Sequence, residues 1–189
     1  MPSLDNTFAE LLAKLHDPDG LNPAKSDPLF YFVHDLAETL AVKLKLPVWI
    51  AALEREGWTV EQVSLSDLIW RIVDDSGRWE EWLAIEPDAD PAEMNEAIRD
   101  VLRSENALVE ALARHVEIPR ERTLVFLTDA SMLHPYFRVR TLESGLHDRV
   151  RVPTVLFYPG RRSGQFGLHF LDFYPVDGNY RSTLVGGIE

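Results

Sequence analysis

Four short apolar runs in this chain end in residues able to do chemistry: His34-Asp35, Ser64 and Ser66-Asp67, Thr128-Asp129, and Pro159-Gly160-Arg161-Arg162. An apolar strand ending in aspartate is how nucleotide triphosphatase cores hold a divalent cation. That chemistry also needs a glycine-rich loop and a lysine to grip the phosphates. The chain has no G-x-x-x-x-G-K-S/T and no lysine after Lys45. Gly164-Gln165-Phe166-Gly167 is too short for a phosphate cradle and reads as a hairpin turn. The pattern predicts a degenerate P-loop-like core without a Walker A motif, and no ATP hydrolysis.

Other reaction classes find equally little. Asp129-Ala130-Ser131 lacks the glycines of a serine-hydrolase elbow, so Asp129 is expected to cap the helix after it. None of the six histidines falls in H-E-x-x-H or another close ligand pair; His34 and His169 read as core residues and His134, before Pro135, as the start of a helix. With no cysteine, thiolate chemistry and disulfides are excluded. No cofactor is expected. Arg138, placed one turn into the helix after Pro135, and Arg181 of Asn179-Tyr180-Arg181 present planar forks suited to carboxylate or phosphate. Internal ion pairing competes with that role. Trp79 and Trp82, beside Glu80 and Glu81, either anchor a partner or pin an acidic segment to the body.

Charge is divided along the chain. Residues 1–120 carry 24 acids against 11 bases, and residues 121–189 carry 7 acids against 8 bases. Asp74 to Glu96 holds nine acids against Arg78 alone, whereas residues 138–162 hold six arginines. The net charge of −12 disfavours general nucleic-acid binding, which rests on phosphate contacts. Arg138 to Arg162 is the one stretch suited to touching a phosphate or an acidic protein. No apolar run nears the roughly 20 residues of a membrane span, and Met1–His16 is not a secretory signal, so a cytoplasmic protein is expected.

The elements that must position these residues follow from periodicity. Leu4–His16 predicts an amphipathic helix and residues 17–28 a loop; the apolar runs Leu29–His34, Thr123–Leu127 and Val152–Tyr158 predict buried strands. Leu40, Val42, Leu44 and Leu46 alternate as an edge strand or extended connection would, with a helix starting at Pro47. Trp58–Leu65 predicts a strand, with Ser66-Asp67 capping a helix over Leu68–Asp74. Residues 76–90 read as an acidic connector, and Asp90-Pro91-Ala92-Glu93 opens one long helix to about Val116. Gly167–Phe173 and Tyr180–Val185 predict a terminal antiparallel pair joined by a turn at Asp177-Gly178-Asn179. The whole spells a single α/β domain over residues 1–189: a mixed, mostly parallel sheet with helices on both faces.

Leu133-His134-Pro135-Tyr136-Phe137-Arg138, Leu142 and Leu146, Val152-Pro153-Thr154-Val155-Leu156-Phe157-Tyr158-Pro159-Gly160 and Asn179-Tyr180-Arg181 follow one another in that order. In these runs the chain resembles the BrxB-like proteins of BREX bacteriophage-exclusion systems. Phe30–Asp35, Gly57–Val60 and Ser64–Leu68 extend the resemblance more loosely. It implies an accessory component of phage defence acting through larger partners: a DNA methyltransferase, a phosphatase-like protein or a large ATPase. Two further readings rest on the strand ends: a nucleotide or nucleic-acid binder using Asp35, Asp129, Arg161 and Arg162, and a metal-dependent nuclease built on Asp35 and Asp129.

Overall fold

Strands apolar on both faces require helices on both sides of one sheet. The structure, a computed structural model, describes residues 3–18, 20–22, 27–164, 167–178, 180 and 182–187. Its elements run α1 (Leu4–Leu15), β1 (Leu29–His34), α2 (Thr39–Arg55), β2 (Thr59–Ser64), α3 (Leu65–Asp75) and α4 (Trp79–Ile85). They continue α5 (Pro91–Arg103), α6 (Ala107–Val116), β3 (Thr123–Thr128), α7 (Val139–Leu146), β4 (Thr154–Ser163), β5 (Gly167–Phe170) and β6 (Thr183–Gly186).

The sheet order is β2-β3-β4-β1-β6, parallel throughout, with β5 antiparallel to the far half of β4. From β1 the chain crosses three positions to β2, then returns stepwise through β3 to β4. Right-handed crossovers force a reversal of travel to change faces. Accordingly α2, joined by α1, packs on Phe30, Phe32, Phe126 and Phe157. Helices α3 to α7 pack on Tyr31, Val33, Val125, Leu127 and Tyr158 on the other side. The mixed, mostly parallel α/β architecture read from the sequence is thus present, with helices on both faces.

Several boundaries differ, each for a physical reason. Leu40–Leu46 is neither strand nor connection but the first half of α2, and Pro47 lies inside that helix rather than at its start. Residues two apart on a helix lie about 200° apart around it, so two interleaved i, i+4 stripes mimic strand alternation. Helix α3 begins at Leu65 because the Ser64 hydroxyl, not Ser66-Asp67, caps it by accepting the Asp67 N–H at 3.2 Å. The acidic connector is largely helical, as α4 and a 3-10 turn over Glu86–Asp88. Asp90 caps α5 as expected, accepting the Ala92 N–H at 2.8 Å. The long helix to Val116 is broken where Glu105 and Asn106 take positive φ.

At the C-terminal end the antiparallel pairing is made by β4 with β5, and β6 lies parallel to β1. Gly160 permits the β4–β5 approach, since a Cβ there would meet the His169 carbonyl oxygen at 2.0 Å. Asp177 pairs back onto Leu168 instead of forming a turn, and Asn179 of that expected turn lies outside the described residues.

Candidate functional site

In an open α/β sheet, ligands bind beyond the carboxyl ends of the strands, where neighbouring connections leave to opposite faces. Here β1 exits to α2 on one face and β3 exits to a 3-10 turn (Ala130–Leu133) and α7 on the other. The crevice between them is lined by His34, Thr39, Lys43, Thr128, Asp129, Ser131 and Pro159. It is already filled: the remaining cavity is about 20 Å³, room for about one water.

Asp129 fills it. The residue takes a left-handed backbone, φ 60° and ψ 33°, which aspartate tolerates better than most side chains. It makes no capping bond to the turn that follows. Its Oδ1 meets Lys43 Nζ at 2.6 Å, while Oδ2 accepts the hydroxyls of Ser64 at 3.0 Å and Thr128 at 3.1 Å. Burial pushes the carboxyl upward, but Lys43, Ser64 and Thr128 together outweigh it and hold Asp129 below the usual aspartate range. His34 is buried beside it, its Nδ1 2.9 Å from the Asp35 carbonyl oxygen, and burial holds its imidazole below the usual histidine range. Lys43 escaped the sequence reading because it sits nine residues past β1, far from any phosphate-loop spacing.

The other strand-end residues do not converge there. The Asp35 carboxylate caps its own turn, accepting the Ala37 N–H at 2.8 Å. Asp67 lies exposed in the first turn of α3. Pro159 reaches the crevice wall, whereas Gly160, Arg161 and Arg162 continue into the antiparallel half of β4.

The six arginines of residues 138–162 are each engaged within the chain. Arg138 stacks over the Tyr174 ring at 4.3 Å; it precedes α7 rather than lying one turn inside it. Arg140 pairs with Asp177 at 2.8 Å, Arg161 with Asp172 at 2.8 Å, and Arg149 grips Glu110 bidentately at 2.7 and 2.9 Å. Arg151 donates to the Asp148 carbonyl and Arg162 to the Gly186 carbonyl. His134, joined to Pro135 by a cis peptide bond, shares a hydrogen bond with the Tyr174 hydroxyl at 2.5 Å. Tyr136 packs half-buried against the core. Tyr180 stacks edge-on against Tyr31 at 5.3 Å, and burial with Asp177 pushes its hydroxyl up to about 12. Asn179 and Arg181, flanking it, lie outside the described residues.

Two features were missed from sequence. Among the described residues, Asp27, His147 and Asp148 form one group whose ligand atoms lie within 4.8 Å of one another. The three residues are already bonded to one another: the Asp27 carboxylate accepts the Asp148 backbone N–H at 3.1 Å, and His147 Nδ1 lies 2.9 Å from the Asp148 carboxylate. The second is the outward side of α2, where Leu40, Leu44 and Val48 stand at i, i+4 and i+8 and are 68%, 72% and 64% exposed. Its signal lay in the misread alternation.

Fold and site together define an α/β domain, its sheet doubly wound and mostly parallel, whose switch-point crevice is closed by its own ion pair. The family model for BREX protein BrxB matches residues 61–185, well over half of the chain. The chain belongs to that family and is a component of a BREX phage-defence system. No curated protein and no solved structure matches it. No helix among the described residues is long and apolar enough to cross a membrane.

Proposed function

We propose that this chain is a non-catalytic assembly component that works by protein contact with larger subunits of its BREX system, a methyltransferase, a phosphatase-like protein or a large ATPase. The observation that carries the reading is the outward stripe of α2. Three large aliphatic side chains project from one helix with nothing over them among the described residues. A helix with a second apolar stripe on its outer side carries more apolar surface than its own fold covers, and an exposed apolar patch marks a surface that another molecule covers. The filled crevice supports the same view, because its acid, lysine and hydroxyls are bonded to one another. The internally engaged arginines weigh against the nucleic-acid reading, since phosphate contact must first break those bonds.

The test is co-purification of tagged chain expressed with the rest of its defence system. Wild type is expected to retain a larger subunit near stoichiometry. The Leu40→Glu/Leu44→Glu variant, with unchanged melting temperature, is expected to retain at least ~10-fold less, the loss of one interface hot spot. Equal retention by both, no retained subunit, or a turnover abolished by Asp129→Asn overturns the reading.

A further inference from the structure

The acidic stretch that looked like a connector builds a groove. Trp70 on α3 and Trp79 on α4 stack with ring centroids 6.1 Å apart and planes 9° off parallel. Trp82 meets Trp79 edge-on at 6.2 Å and is buried against the body. Trp82 thus pins α4, whereas Trp79 remains 39% exposed and Leu83 59% exposed. With Met94 on α5 and Tyr136 these rings line an open, mainly apolar groove of about 430 Å³. It lies on the helical face opposite α2, away from the crevice.

The charge on and near it has one sign. Glu86 lines it, and Glu80, Glu81, Asp88 and Glu93 are exposed elsewhere on the same stretch of chain. Among the described residues no ion pair engages any of the five. Glu96 of α5, beyond the groove, differs: it is paired with Arg99. An apolar floor with the unpaired Glu86 carboxylate at its edge, in a stretch of exposed acids, is complementary to a segment that is apolar on one side and basic on the other. Tryptophan and tyrosine faces also attract arginine and lysine directly.

We propose that the Trp79–Leu83 groove is a docking site for a basic amphipathic segment of a partner protein, with apolar anchors on the indoles and lysine or arginine facing Glu86 and the acidic stretch around it. The proposal rests on the assembly reading above, since it gives the chemistry of one contact that such a component makes. It uses a surface separate from the α2 stripe, so one chain has two contact faces.

The test probes an array of overlapping peptides of ~15 residues, about four helical turns, tiled from the other proteins of the same defence system, with labelled full-length chain. Retained peptides are expected to be rich in lysine and arginine with apolar residues at i, i+3 or i+4. For the best one, made synthetically, fluorescence anisotropy is expected to show ~10-fold weaker binding to Leu83→Glu. Glu86→Lys and rising salt also weaken it, while Leu40→Glu/Leu44→Glu leaves it unchanged. No retained peptide, equal retention of acidic peptides, or affinity indifferent to Leu83→Glu overturns the proposal. Leu83-dependent self-association in sedimentation also overturns it, by giving the groove to a second copy. Subunit capture that depends on α2 beside a silent array refutes the groove alone. Basic peptides retained where no subunit is captured refute the α2 reading alone.

Discussion

Helix α2 turns Val42, Leu46, Trp49 and Leu53 toward the sheet and Leu40, Leu44 and Val48 toward solvent. The two sides have similar side chains and opposite fates. On the inner side Trp49 stacks on Phe8 at 5.0 Å and on Phe157 at 6.2 Å, and tilts against Phe32 at 5.2 Å. On the outer side nothing equivalent exists among the described residues. Hydrophobicity is a property of a residue, but burial belongs to its neighbours. An apolar side that the fold itself does not cover is available to another molecule.

The largest expected effect falls on the inner side. Trp49→Ala removes a ring that joins α1, α2 and the sheet, and should cost ~3–5 kcal/mol of unfolding free energy in urea titration. A loss below about 1 kcal/mol would mean the two sides of α2 do not differ energetically.

Next comes the crevice beneath the first turns of α2. Asp129→Asn keeps a side chain that tolerates the left-handed backbone but removes the charge facing Lys43. It should cost ~1.5–3 kcal/mol at neutral pH, typical of hydrogen bonds to a charged group. Because the folded carboxyl titrates below its unfolded value near ~3.9, the wild-type advantage is fully present above that value. It disappears as pH falls through the lower folded value. Urea midpoints of both proteins from pH 7 to about pH 2.5 should therefore converge only at the acid end; a constant gap would contradict the ion pair.

The smallest effect is expected outside. Leu44→Gln should change stability by less than ~0.5 kcal/mol, as exposed positions do. A cost of 2 kcal/mol or more, similar to a buried leucine, would mean that Leu44 is covered in the isolated chain.

How far the sequence could be read depended on burial at each element. The runs Leu29–His34 and Thr123–Leu127 were legible because strands covered on both faces are apolar at every position. Asp90-Pro91 announced α5 because a cap and a proline act locally. The Leu40–Leu46 segment was not legible, since a helix with two apolar stripes imitates alternation. Of the candidate site residues, Asp129 and Pro159 line the crevice, but Asp35 and Asp67 were not separable from them on sequence alone. A strand-end aspartate that caps its own turn has the same local pattern as one that crosses the sheet to a lysine.

Composition and periodicity alone determined the class of architecture, the lack of any cysteine chemistry and the division between an acidic front and an arginine-bearing back, because these depend on residues near one another in the chain. Tertiary structure alone decided that Lys43 meets Asp129, that five of the six arginines are held by partners between 11 and 39 residues away, and which apolar side of α2 is left open. Such pairings join positions far apart in sequence, and only the folded path of the backbone brings them within bonding distance.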